Sequence, residues 1–68
     1  MQTTHYEITV RGRLGDALTH AFDGLTATSD QGQTVLRGEL ADQAALYGVL
    51  ERIESLGLEL LDVHHVSH

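Results

Sequence analysis

The sequence predicts a single α+β domain, residues 1–68, in which two helices lie on one face of an antiparallel β-sheet. Three features indicate this class: apolar and polar residues alternate near the N-terminus, apolar residues recur at helical spacing between residues 42 and 56, and glycine-containing turns separate the segments. A chain this short buries only about 60% of its unfolded surface, so we expect a thin core.

The first strand is predicted over residues 5–11, which have the sequence HYEITVR. Tyr6, Ile8 and Val10 alternate with polar residues, and this period of two is typical of a strand that buries one face. The polar residues of the segment would then lie on the opposite face of the sheet.

A short helix is predicted next, over residues 16–22. Asp16 is suited to the N-cap position, where its carboxylate can accept hydrogen bonds from the amides of the first turn. Leu18, Phe22 and Leu25 follow at helical spacing, and the dipeptide DG after Phe22 favours the end of a helix.

A β-hairpin is predicted from two strands near residues 25–29 and 33–40. The sequence SDQGQ separates them, and its Asp30 and Gly32 favour a tight reversal of the chain.

The second helix has the clearest sequence pattern in the chain. It begins at Asp42, a second N-cap, and ends before Gly57, where glycine can adopt the left-handed conformation that closes a helix. Its apolar residues at helical spacing are Leu46, Val49, Leu50, Ile53 and Leu56.

The last strand is predicted within LELLDVHHV, residues 58–66. If side chains alternate strictly along the strand, Leu61, Val63 and His65 share one face, and the neighbouring leucines lie on the other. A β-bulge near Leu60 and Leu61 would reconcile the two faces. The element order is then β-α-β-β-α-β with a four-stranded antiparallel sheet, which is the ferredoxin-like arrangement.

The segment LRGELADQAALYGVLERIESLGLELLDV resembles the C-terminal half of a group of small bacterial proteins that have no assigned activity. The group shares a D-Q-A-x-L-x-G-x-L segment followed by L-G-L-x-L, and YEITVRGRLG and FDGLT in the first half fit the group too. This resemblance implies a fold and no reaction. The element order is also similar to that of ACT-type regulatory domains, which implies pairing through sheets and small ligands at the interface. The positions that match the group of small bacterial proteins are Asp42, Gln43, Ala44, Leu46, Gly48, Leu50, Leu56, Gly57, Leu58 and Leu60.

The composition argues against several classes of partner. Ten Asp and Glu against four Arg and no Lys give a formal charge of −6, which opposes binding to nucleic acid. The sequence shows no signal-peptide pattern and no apolar run of membrane-spanning length, so we expect a cytoplasmic protein without membrane contacts. Cysteine is absent, so neither disulfides nor thiolate metal sites can stabilise the fold, and no cofactor is predicted. Oligomerisation is the expected source of further stability.

The polar face of the sheet is the first candidate site. We expect Glu7, Thr9 and Arg11 of the first strand to lie beside Arg37 and Glu39 of the third. Asp62 or His64 would lie on the other side of the first strand. Opposite charges on adjacent strands would stabilise a solvated face, and the same face could serve as a protein interface or a ligand platform.

Tyr47 and Gly48 form the second candidate, a contact surface on the second helix. Glycine within a helix costs about 1 kcal/mol relative to alanine, so it should have a compensating reason. Close packing within the chain, a protein interface and a ligand contact are the three alternatives.

The C-terminal sequence HHVSH supplies the third candidate, a metal site built from His64, His65 and His68. Adjacent strand residues point to opposite faces, so His64 and His65 could serve one site only if the strand ended before them. An exposed, frayed tail over residues 64–68 is the alternative.

These candidates lead to three functional hypotheses. The first is a small interaction or accessory module that acts as a homodimer or as a subunit of a larger protein. The second is a dimer that binds a small molecule, as a regulatory domain or an enzyme, in a pocket between subunits. The third is metal binding by the C-terminal histidines. No catalytic residue is predicted, and an enzymatic pocket would be sought among His5, Glu7, Arg11, Arg37 and His64.

Overall fold

The computed structural model describes residues 4–15, 22 and 24–66. Within them the chain forms four antiparallel strands and one helix, in the order β-β-β-α-β. No helix among these residues is long and apolar enough to cross a membrane. The elements are β1 (Thr4–Arg11), β2 (Thr26–Asp30), β3 (Gln33–Leu40), α1 (Gln43–Ser55) and β4 (Leu60–Val66).

The prediction of a two-helix, ferredoxin-like β-α-β-β-α-β fold is wrong, because the described chain contains a single helix. Of the helix expected over residues 16–22, residues 16–21 lie outside the described part. Phe22 is instead followed by a turn in which the Leu25 amide donates to the Phe22 carbonyl at 3.1 Å. Gly24 has a φ of +85° in this turn. The spacing of Phe22 and Leu25, which we attributed to a helix, therefore belongs to a turn.

The sheet has the strand order β2-β3-β1-β4, so β1 and β3 are central and β2 and β4 are the edges. Along β1 the partners on β4 change register between Thr9, which lies opposite Asp62, and Val10, which lies opposite Leu60. Leu61 is thus the additional residue of a bulge. The predicted bulge near Leu60 and Leu61 is confirmed, and it places Leu60 on the same face as Val10.

The β2–β3 hairpin closes through a two-residue turn between Asp30 and Gln33, which lie opposite each other. Gln31 and Gly32 have φ values of +50° and +79°. Two successive positive φ angles are the geometry of a type I′ turn, whose twist matches that of the flanking strands. The predicted reversal at SDQGQ is confirmed.

Both predicted ends of α1 are confirmed. Asp42 caps the N-terminus, where its carboxylate accepts a hydrogen bond from the Ala45 amide at 2.9 Å. At the C-terminus Gly57 has a φ of +75°. The Gly57 amide donates to the Glu54 carbonyl at 3.0 Å and the Leu58 amide to the Ile53 carbonyl at 3.1 Å, which together form a Schellman motif.

The helix lies on one face of the sheet and supplies two of its buried side chains, Leu46 and Ile53. They pack in one cluster with alternate residues of the central strands, because successive side chains of a strand point to opposite faces. Burial of this apolar surface is the main stabilisation of the fold. The buried apolar residues of the described part are Ile8, Val10, Phe22, Leu36, Leu40, Leu46 and Ile53.

A glycine in β3 lets the chain before β2 cross this same face. A Cβ atom at Gly38 would lie 2.6 Å from Leu25 Cδ2 and 2.7 Å from the Gly24 carbonyl oxygen. Leu25 is partly buried and packs against the core cluster. Gly38 therefore makes room for this crossing, which a larger residue would obstruct.

The opposite face of the sheet, here called the outer face, carries the side chains of His5, Glu7, Thr9 and Arg11 of β1 and those of their partners on the neighbouring strands. Among the described residues, no side chain of the outer face is buried. The outer face therefore holds the polar groups that the strand pattern predicted for it.

Candidate functional site

Strand register brings three charged side chains into one line across the outer face. Glu7 on β1 lies opposite Arg37 on β3 and, on its other side, opposite His64 on β4. Asp62 precedes His64 by two residues on the same strand, so its side chain points to the same face. We call Arg37, Glu7, His64 and Asp62 the charged row.

The members of the charged row are joined by direct contacts. Arg37 Nε donates to Glu7 Oε2 at 2.9 Å, and His64 Nε2 lies 3.2 Å from the other carboxylate oxygen, Glu7 Oε1. His64 Nδ1 lies 2.8 Å from Asp62 Oδ2. The side chain of Glu7 is 25% exposed, whereas those of the other three are about half exposed. When His64 is protonated, charge therefore alternates in sign from Arg37 in the middle of the sheet to Asp62 at the β4 edge.

These contacts favour the protonated form of His64. The hydrogen bond with Asp62 is the main cause that raises the pKa of the His64 imidazole above its ordinary value, and the Glu7 carboxylate adds to it. Partial desolvation opposes the shift. An imidazolium donates from both ring nitrogens, which matches a carboxylate on each side. His64 in this state is a surface cation held in a fixed orientation, with no ring nitrogen left to accept a proton.

Two other residues predicted for the sheet-face site lie away from the charged row. Arg11 lies opposite Gln33, and its Nε donates to Glu59 Oε1 at 2.8 Å. Glu39 lies opposite His5, nearer the other end of β1. The structure therefore brings Glu7, Arg37 and His64 together and leaves Arg11 and Glu39 apart. Sequence reasoning missed Glu59, because its contact depends on the register shift that the bulge introduces.

The two adjacent histidines serve opposite faces, as strand geometry requires. His64 lies opposite Glu7 on the outer face, whereas His65 lies opposite Tyr6 on the helix side, with the two ring centroids 6.0 Å apart. Both histidines belong to β4, and His68 is outside the described residues. Within residues 4–15, 22 and 24–66, no group of three or more His, Asp or Glu side chains is arranged so that it could hold a metal ion.

Tyr47 and Gly48 lie on the exposed side of α1. The Tyr47 side chain is 60% exposed. Apart from the two adjacent residues and the backbone of α1 itself, no atom of the described residues lies within 4 Å of the position that a Cβ would occupy at Gly48. The interpretation of Gly48 as a point of close packing within the chain is therefore wrong for the described residues, because the space beside it is open.

The described residues form a surface groove on each of two sides of α1. One, of about 570 Å³, is lined by Gly48, Glu51, Arg52, Ser55 and Leu56. The other, of about 430 Å³, lies between α1 and the start of β4, and we call it the α1–β4 groove. Among the described residues that line the two grooves there is no Arg11, Arg37 or histidine, which are the residues that the small-molecule hypothesis would place around a pocket. The α1–β4 groove is lined by Leu50, Glu51, Ile53, Glu54, Leu58 and Leu60.

Comparison with known proteins identifies the family. Residues 5–64 match a family described as a domain of unknown function, DUF8691. The chain belongs to this family. No curated protein and no solved structure was found to match it.

The DUF8691 match begins within β1 and ends within β4. It contains every member of the charged row and all six residues of the α1–β4 groove. Both features therefore belong to the DUF8691 domain itself.

Proposed function

We propose that this DUF8691 domain is a cytosolic interaction module that forms a homodimer through the edge strand β4. The observation that carries the proposal is the position of Asp62 and His64, an acidic and a basic residue two positions apart on the outer face of an edge strand. Such a pair is self-complementary when two copies of the strand run antiparallel.

The backbone of β4 supports pairing with a further strand. In an antiparallel ladder, alternate residues direct their N–H and C=O groups away from the neighbouring strand, so half of these groups on β4 face away from β1. Natural edge strands are commonly protected by proline, lysine or a bulge. β4 has its bulge at Leu61, near its start, and contains neither proline nor lysine. The section from Asp62 to Val66 follows the bulge in regular register.

One register makes the charges complementary. If the two-fold axis passes through Val63, Asp62 of each copy lies opposite His64 of the other, and the two Val63 side chains meet on the helix side. Opposite charges across strands contribute about 0.2 to 1 kcal/mol per pair. Because of the two-fold symmetry the dimer contains this pair twice. This repetition favours a second copy of this chain over an unrelated strand.

The test is the solution mass by light scattering over a concentration series. The wild type is expected to be a dimer that dissociates on dilution. Asp62→Arg places two cations opposite each other, and His64→Asp places two carboxylates opposite each other, so each variant alone should shift toward the monomer. An equimolar mixture of the two variants restores an opposite-charge pair at both positions and should restore the dimer.

The matched control is Asp30→Arg, which makes the same change of charge on the other edge strand, β2. It should leave the dimer intact, and circular dichroism should show that all variants fold. A wild type that stays monomeric at every concentration would contradict the proposal. So would a mixture of the two β4 variants that remains monomeric.

A further inference from the structure

The α1–β4 groove combines an apolar floor with exposed leucine. Ile53 forms its base and is 1% exposed, while Leu50 and Leu58 are partly buried. Leu60 at the start of β4 is 44% exposed, which is high for a leucine that lies on the core side of a sheet. A partner that covered Leu60 would bury apolar surface, which stabilises the complex, and the groove that receives it is already formed in the free chain.

The rim of the same groove is acidic. Glu51 and Glu54 are exposed and lie three residues apart on α1, so they are neighbours on the helix surface. Among the described residues that line the groove there are two carboxylates and no cation. Tyr47, one turn before Glu51, extends the surface with an exposed aromatic ring, a residue type enriched at interfaces.

We propose that the α1–β4 groove binds a segment of a partner protein that presents apolar side chains flanked by arginine or lysine. The apolar side chains would cover Leu60 and Leu58, and the cations would lie against Glu51 and Glu54. A second copy of this chain carries a formal charge of −6. Along β4 the pairs of Asp62 with His64 would offset this like charge, whereas the described rim of the groove offers carboxylates and no cation, so a second copy is a poor occupant of the groove. An amphipathic helix laid in a groove is the corresponding recognition mode. The proposal does not depend on the β4 dimer.

The probe is a synthetic amphipathic helical peptide with leucine at every third or fourth position and arginine between the leucines. Its counterpart carries glutamate in place of each arginine. Binding of each fluorescently labelled peptide to the full chain is measured by fluorescence anisotropy at low and high salt. The arginine peptide is expected to bind, more weakly as salt increases, because screening weakens its contacts with the carboxylates. The glutamate peptide is expected not to bind.

Two variants locate the contact on the protein. Leu60→Ser should weaken binding about tenfold, since it removes a large part of the apolar area that the peptide covers. The double variant Glu51→Gln with Glu54→Gln changes only exposed groups, and it should weaken binding and reduce the salt dependence. The matched control is Leu56→Ser, at a leucine that is 39% exposed but lies outside this groove, and it should leave the affinity unchanged.

Three results would overturn the inference. The first is that neither peptide binds the wild type, or that the glutamate peptide binds as well as the arginine peptide. The second is that Leu56→Ser weakens binding as much as Leu60→Ser does. The third is that Leu60→Ser lowers the solution mass of a protein that binds no peptide, which would assign the groove to a second copy. Because the β4 variants test mass and these variants test peptide affinity, failure of one proposal is distinguishable from failure of the other.

Discussion

His64 on β4 lies directly opposite Glu7 on β1, with its Nε2 atom 3.2 Å from Glu7 Oε1. Its other ring nitrogen lies 2.8 Å from an oxygen of Asp62. The two carboxylates favour the imidazolium, so the histidine links the centre of the sheet to its edge through opposite charges. This relationship makes the protonation of His64 a measurable property of the folded chain.

Asp62 should control the pKa of His64 more strongly than Glu7 does, because the hydrogen bond with Asp62 is the main cause of the raised pKa. Asp62→Asn is therefore expected to lower the pKa of His64 further than Glu7→Gln does. The measurement is an NMR titration of the imidazole resonances in the wild type and both variants. Equal shifts in the two variants, or a wild-type pKa at the ordinary value, would refute the assignment.

Stability should depend on pH through the same group. The folded-state pKa of His64 is raised above its ordinary value of 6.5, so folding favours the protonated form. Its contribution to the free energy of unfolding is fully present below pH 6.5 and is lost as the pH rises through the raised pKa. Urea denaturation at a series of pH values should show this loss in the wild type. His64→Gln should lack this pH-dependent loss of stability. Identical pH profiles for the wild type and His64→Gln would contradict the assignment of the loss to His64.

The features that sequence could predict are those that neighbouring residues determine. Alternation specified β1, and helical spacing with Asp42 and Gly57 specified α1 and its ends. The irregular apolar parity at Leu60 and Leu61 specified the bulge. Each of these depends on local geometry that propensity and periodicity describe well.

The features that sequence could not predict depend on contacts between distant segments. Phe22 and Leu25 have a spacing that fits a helix, and the structure shows that a turn at Gly24 also places both against the core. The charged row was predicted in part, since Glu7 and Arg37 were expected on one face with Asp62 or His64 beside them. That Glu7 contacts both partners at once follows only from the register of three strands.

Gly38→Ala should destabilise the domain by about 1 to 3 kcal/mol, which is typical of overpacking. The added methyl would lie 2.6 Å from Leu25 Cδ2 and 2.7 Å from the backbone oxygen of Gly24, and backbone cannot yield as easily as a side chain. Urea denaturation gives the free energy of unfolding. An unchanged midpoint would mean that the chain at Gly24 and Leu25 does not pass over β3 as described.

Thr34→Val should also destabilise the domain, by about 1 to 3 kcal/mol. Valine has nearly the same shape as threonine, but it cannot form the hydrogen bonds of this fully buried side chain. Thr34 Oγ1 donates to the Gly12 carbonyl at 2.7 Å, and it accepts from Ser29 Oγ at 3.1 Å. The control is Thr28→Val, at an exposed position on β2, which should change the stability little. Equal effects of the two substitutions would exclude a specific role for the Thr34 hydroxyl.

Gly48→Ala should stabilise the domain by about 1 kcal/mol, the difference in helix propensity between the two residues. This gain is expected because, among the described residues, only the adjacent residues and the backbone of α1 itself lie near the added methyl. Gly57→Ala makes the same chemical change just beyond the same helix, where φ is +75°, and it should destabilise the domain because alanine is strained in that conformation. Urea denaturation of both variants gives the two signs directly. A destabilising Gly48→Ala would show that glycine at this position is needed by the folded chain itself, whereas a stabilised variant leaves Gly48 free for a role outside it.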